Sequence, residues 1–201
     1  MKEVKKYLMM AGCTMVLSMV SLSAKAVDLK TLTDLAKDEA RISTSIPVDN
    51  NIDVNTAFRM ATTKKVPVID VRTIQEYQFV GHIPFAYNIP VQVWGEKWDE
   101  KKNCFALDQN SGFISNFERI FPDKSAAYII SCRSGHRSTK AIDALAKDGY
   151  TNLYNMWEGF EGAAVKDKEL PSFDQKVGEG WKNKGLPYTW NIDPKLISSK
   201  I

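Results

Sequence analysis

The residues best placed to do chemistry are Cys132-Arg133-Ser134-Gly135-His136-Arg137-Ser138. A cysteine stands between a strongly apolar run, Ala126-Ala127-Tyr128-Ile129-Ile130-Ser131, and a helix-compatible stretch that begins at Ser138. A thiol at a helix N-terminus with cations beside it is a strong nucleophile, because both features stabilise the thiolate. Arg133 and Arg137 bring full charges, and Gly135 lets the chain curl so that successive backbone N–H groups can face one centre. Such a cradle suits an anion on or near sulfur, whether thiolate, persulfide or bound oxyanion. The competing reading of Cys132 is a buried packing residue, the usual fate of a lone cysteine after a strand; the Arg-rich glycine loop speaks against it. His136 in mid-loop reads as exposed, with an electrostatic effect on Cys132 only when protonated. Arg137 is expected to aim at a bound anion or at loop carbonyls, and Arg133 to point outward toward an incoming anion.

The elements around this loop form an alternating pattern. Val66-Pro67-Val68-Ile69-Asp70-Val71 is rich in β-branched residues and predicts a strand buried on both faces, followed by a short helix over residues 73–80. Residues 126–131 predict a second such strand, residues 138–148 a helix stopped by Gly149, and Leu153-Tyr154-Asn155-Met156 one more strand. Asp53 is placed to cap a helix through Met60. Strands alternating with helices predict an α/β fold with a mainly parallel central sheet flanked by helices, and ligands in such folds bind at the carboxyl ends of strands. Cys132 falls at that position. Residues 91–124 form a longer polar and aromatic segment in which Phe113, Phe117 and Phe121, spaced by four, predict a helix over 111–121 with a buried aromatic stripe.

The motifs now combine. Cys-Arg-x-Gly-x-Arg-Ser after a buried strand resembles the active-site loop of the rhodanese family. Asp70-Val71-Arg72 with Glu76-Tyr77, then Gly81-His82-Ile83-Pro84 and Asn88-Ile89-Pro90, is similar to that family's N-terminal signature, and Asn155-Met156-Trp157-Glu158-Gly159-Phe160-Glu161-Gly162 resembles its closing segment. Phe85 and Glu158 stand where the family commonly has glycine. The resemblance covers residues 53–165 and implies a rhodanese-like domain, Cys132 as the catalytic residue, an anion-binding loop of Arg133, Ser134, Gly135, His136, Arg137 and Ser138, and sulfurtransferase activity without a cofactor. It implies a small-molecule sulfur donor such as thiosulfate, and a thiol, cyanide or a protein as acceptor. Asp70, Arg72, Glu76 and His82 read as structural support: an ion-pair network for the first three and a held connection for the last, in place of a metal ligand. Two rivals stay open. One is a non-enzymatic sulfur carrier or redox-sensing module. The other is a phosphatase or arsenate reductase, disfavoured because only four residues separate Cys132 from Arg137, one fewer than in the related dual-specificity phosphatases.

The flanks are read by composition. Lys2, Lys5 and Lys6, an apolar run over residues 7–20 and the Ala24-Lys25-Ala26 triplet predict a cleavable export signal over residues 1–26. The run is shorter than the ~20 residues a membrane span requires, so no stable span is expected after cleavage, and the expected location is periplasmic or secreted. An uncleaved anchor helix, or a lipid on Cys13, is the minor alternative. Residues 27–52 predict a helical extension carrying Leu29, Leu32 and Leu35 and ending in a turn-rich linker; residues 166–201 predict a C-terminal extension pinned by Trp181, Tyr188 and Trp190. Residues 1–26 carry four lysines against one glutamate, so the formal charge of +3 falls to zero without them. A neutral domain offers no electrostatic footprint for nucleic acid. Two cysteines beyond the signal, Cys104 and Cys132, with two histidines and no Cys-x-x-Cys, do not supply the ligand pattern of a structural zinc site, and no metal is expected. They leave open a Cys104–Cys132 bridge, in which Cys104 would resolve an oxidised Cys132.

Overall fold

A computed structural model describes residues 50–199 of the 201-residue chain. The expected export signal and the amphipathic helix after it lie outside the described residues. Within them a five-stranded, all-parallel sheet runs in the order β1-β7-β6-β2-β3, where β1 is Asn51–Ile52, β2 Val68–Asp70, β3 Tyr87–Asn88, β6 Tyr128–Ser131 and β7 Leu153–Met156. The helices are α1 Val54–Thr63, α2 Ile74–Phe79, α3 Phe113–Ile120 and α4 His136–Lys147. This is the α/β architecture that the strand-and-helix alternation predicts.

The sheet divides the core in two because successive strand side chains point to opposite faces. Val68 and Ile129 lie in the cluster that holds Val54, Ala57, Phe58 and Ala61 of α1. Ile69 and Ile130 lie in the other, with Phe113 and Phe117 of α3 and Ala141 and Leu145 of α4. Burial on both faces explains why the β2 and β6 sequences are apolar without alternation. Asp53 caps α1 by accepting from the Thr56 amide at 2.8 Å, and Thr73 caps α2 in a reciprocal box with Glu76.

Two parts differ from the expectation. Asn51–Ile52, the end of the expected linker, is a sheet strand that pairs in parallel with Asn155 and Met156. Two residues are too short a run to show any periodicity. The segment ahead of α3 is a hairpin, β4 Gln92–Asp99 and β5 Cys104–Gln109, paired antiparallel in its own sheet. Its aromatic residues Trp94, Trp98 and Phe105 are exposed, so the polar-aromatic composition that hid the strands reflects a ribbon standing off the core.

The segment after residue 165 is part of the fold. Trp181 is completely buried in the first cluster, edge-on to Phe58 and Phe85, and its Nε1–H donates to the Pro187 carbonyl at 2.8 Å. His82 and Thr189 exchange both backbone hydrogen bonds at 2.9 Å, and the Ser198 amide donates to the Asn88 carbonyl. Among the described residues no helix is long and apolar enough to cross a membrane.

Candidate active site

The loop after β6 closes on itself. Gly135 takes the left-handed conformation, φ +82°, that turns the chain into α4, and Ser138, one turn into that helix, brings its Oγ to 3.6 Å from Cys132 Sγ. The ring of chain therefore begins and ends at the sulfur. Among the described residues, no protein group accepts from the amides of Arg133, Ser134, Gly135, His136, Arg137 or Ser138. The fold leaves six successive donors uncommitted beside one thiol, the arrangement that binds anions at helix N-termini and backbone nests.

The loop carbonyls are used instead. Phe160 N–H donates to the Cys132 carbonyl at 2.8 Å, while Glu161 and Gly162 N–H donate to that of Arg133 at 2.9 and 3.2 Å. This clamp from the segment after β7 sits so close that a methyl group on Gly159 would stand 2.5 Å from the Arg133 carbonyl carbon, and Gly159 itself has φ +70°. Ser138 Oγ lies 2.6 Å from Asn155 Oδ1 and 2.8 Å from the Gly135 carbonyl; Asn155 Nδ2 donates to Asn51 Oδ1 at 2.9 Å. Asn155 thus links the loop to two strands. Sequence reasoning assigned it no role; an asparagine in an otherwise buried strand, which must find partners, was the available signal.

Two expectations about the loop need correction. The loop composition speaks against a buried Cys132, yet the residue is 1% exposed and belongs to the second apolar cluster with Ile130 and Ala141; a residue that directly follows a buried strand inherits the strand's burial. Arg137 was expected to aim at an anion or at loop carbonyls. Its guanidinium instead makes a two-pronged pair with Glu76, Nη1–Oε2 2.7 Å and Nη2–Oε1 2.5 Å. Ion pairing wins because both side chains are mostly buried, 13% and 16% exposed, and a lone charge there would be costly. Arg133 and His136 are exposed and Ser134 is half-buried.

The supporting residues lie behind the loop. Arg72 is fully buried, forks onto Asp70 at 2.7–3.0 Å, donates to the Gly81 carbonyl at 2.8 Å and lies 4.3 Å over the Phe160 ring. Asp70 and Arg72 are therefore connected to the clamp, and Glu76 to the loop. His82 is stacked on Tyr77, with centroids 3.7 Å apart, and its Nδ1–H donates to the Tyr77 carbonyl at 3.0 Å. Burial holds its imidazole below its ordinary value, against the hydrogen bonds to backbone carbonyls that favour the charged form. No group of three or more metal-ligating side chains occurs among the described residues. Cys104 is free and exposed at the start of β5, and Cys132 is free and buried.

The Glu76–Arg137 pair makes a measurable prediction. Burial raises the Glu76 carboxyl, but the hydrogen bonds and charge of Arg137, with the Thr73 amide and Arg72, bring it net below its ordinary value. A carboxyl lowered in the folded state stabilises the fold above its unfolded pKa and loses that contribution as pH falls through the folded one. Glu76→Gln keeps the shape but leaves Arg137 uncompensated, so urea unfolding at pH 7 should show a loss of about 2–3 kcal/mol. The gap to the parent chain should narrow as the pH falls below the ordinary carboxylate range. A gap constant down to strong acid would mean that charge is not what Glu76 contributes.

Comparisons with known proteins agree with this architecture. A family model described as "Rhodanese-like domain" matches residues 53–165. "Uncharacterized protein RP600" of Rickettsia prowazekii is 34% identical over 122 residues, 60% of this chain and 80% of that protein. "Putative thiosulfate sulfurtransferase, mitochondrial" of Schizosaccharomyces pombe is 36% identical over 101 residues, 50% of this chain and 65% of that one. Among solved structures, "Crystal structure of Rv0390 from M. tuberculosis" aligns with a TM-score of 0.51 at 24% identity, covering 70% of this chain and 97% of that one, which is a likeness of fold.

Proposed function

The chain belongs to the family of rhodanese-like domains, and from that membership we propose that it is a sulfurtransferase moving sulfane sulfur through a persulfide on Cys132. The donor is thiosulfate or a persulfide; the acceptor is a thiol, cyanide or a protein. The observation that carries this reading is the closed loop of uncommitted amides from Arg133 to Ser138 around a single thiol. In the first half-reaction the Cys132 thiolate attacks the outer sulfur of thiosulfate. The S–S bond of the donor breaks, and its electron pair leaves on sulfite, an anion that needs no proton. The product, Cys132–S–S⁻, keeps its negative charge where the six amides can stabilise it. In the second half the acceptor attacks the outer sulfur and Cys132 leaves as thiolate. No general acid is required, in keeping with a loop whose histidine, His136, is exposed.

Intact-mass measurement of the purified protein after thiosulfate treatment tests this. A gain of one sulfur atom, mapped to the peptide holding Cys132 and removed by cyanide, is expected. Hydrolysis of a phosphate ester with no sulfur gain would replace the reading with the phosphatase one. A sulfur-carrier or redox-sensing module is the second reading: in that case the sulfur would load once, without turnover to small acceptors. We also propose that residues 1–26 are an export signal and that the mature domain works outside the cytoplasm; the same mass measurement on protein made in cells with an export pathway would begin near Val27.

A further inference from the structure

Arg133 and Ser134 line a groove of about 440 Å³ together with Ala163, Ala164, Lys166, Asp174 and Lys176. Thiosulfate would occupy only a fraction of that space; grooves of roughly 300–1,000 Å³ hold ligands with a body. Three cations, Arg133, Lys166 and Lys176, and one carboxylate, Asp174, line it, and two of the cations come from beyond residue 165, where the family match ends. The wall is built rather than loose. The Val165 amide donates to the Gln175 carbonyl and the Asp174 amide to the Val165 carbonyl, at 2.9 and 3.0 Å, which sets Lys166 across from Asp174 and Lys176. Lys176 Nζ donates to the Gly162 carbonyl at 2.8 Å, and the Gly162 amide donates to the Arg133 carbonyl, so the ammonium is referenced directly to the loop. Asn183 Nδ2 donates to the carbonyls of Glu161 and Lys176 at 2.9 Å each. Burial first, then the charges of Arg133 and Lys166, hold the Lys176 ammonium below its ordinary value, opposed by Glu161 and Asp174. Cations gathered in this way are stabilised by a bound anion.

We propose that this groove seats the carboxylate-bearing body of the sulfur acceptor, with Lys166 and Lys176 as the residues that determine its specificity and its thiol turned toward Cys132. The assignment rests on the sulfur-transfer reading above. The acceptor thiol gives its proton to solvent, and its thiolate attacks the outer sulfur of Cys132–S–S⁻. The bond between that sulfur and Sγ breaks, its electron pair stays on Cys132, and the acceptor leaves as a persulfide, so no outside oxidant or reductant takes part.

Steady-state assays of the full chain, with thiosulfate as donor, compare mercaptosuccinate, a thiol with two carboxylates, against uncharged thioglycerol. Lys166 is an exposed side chain, so Lys166→Glu should fold normally. It should raise the ratio of the two KM values, mercaptosuccinate over thioglycerol, about tenfold, a contact to a charged group lost and a repulsion gained. Lys176→Met should raise that ratio and Lys176→Arg restore it; Asp174→Asn should lower it. A ratio unchanged in Lys166→Glu, or KM values that rise together for both thiols, overturns the assignment. Sulfur loading of Cys132 by thiosulfate, read by mass in the same preparations, separates the failures. If loading occurs but the ratio does not move, the groove is wrong and sulfur transfer stands; if the unaltered protein never loads, both fall.

Discussion

Cys132→Ser should abolish thiosulfate-dependent turnover, by roughly 10³-fold or more, since covalent catalysis disappears with its nucleophile. The hydroxyl is nearly the size of the thiol, but it enters an apolar cluster at a site that is 1% exposed, so a stability loss of about 1 kcal/mol is expected beside the catalytic one. The two effects are separable. Unfolding curves should show the variant folded at assay temperature, and mass spectra should show no sulfur gain after thiosulfate. Turnover equal to that of the parent would remove Cys132 from the chemistry and with it the proposed function.

Gly135→Ala should damage both fold and turnover, because this position fails the new methyl group in two independent ways. Its φ of +82° costs a residue with a side chain about 1–2 kcal/mol, and the Cβ would stand 2.1 Å from the Trp157 carbonyl oxygen, a backbone atom that cannot rotate aside. Relief requires either the loop or the clamp after β7 to move, an overpacking cost of about 1–3 kcal/mol. The sum, about 2–5 kcal/mol, should appear as a lower urea midpoint at constant m-value. The surviving folded protein should turn over at least about tenfold more slowly, because amides displaced from the sulfur no longer stabilise the departing charge. Unaltered turnover with reduced stability would show that the turn holds the fold together and contributes nothing to the chemistry.

What could be read from the sequence followed where one physical signal dominated. The buried strands around Ile69 and Ile130 and the helix over Phe113 and Phe117 were legible because burial on both faces, or on one stripe, leaves a composition that nothing else explains. The hairpin Gln92–Asp99 and Cys104–Gln109 was not, since a ribbon exposed on both faces has no apolar alternation to betray it. At the loop, residue types were informative about where an anion could bind, but side-chain direction was not. Glu76 lies sixty-one residues before Arg137, and no local pattern states that the two meet, so the pairing that turns Arg137 away from an anion emerges only from the fold. The same holds for Lys166 and Lys176, which lie in the C-terminal extension and carry no local pattern of their own; the 165–175 rung brings them into one groove with Arg133.

The depth of Cys132 bears on what the surroundings of the protein can touch. A sulfur–sulfur bond is about 2 Å long, so under the proposed chemistry the transferred atom can stand up to that much farther from the apolar cluster than the anchoring one. The resting protein then presents little to bulky alkylating or oxidising agents, whereas the loaded protein offers its cargo alone. Reagents too large to enter should therefore discriminate between the empty and charged states, and the acceptor never has to reach the cysteine itself.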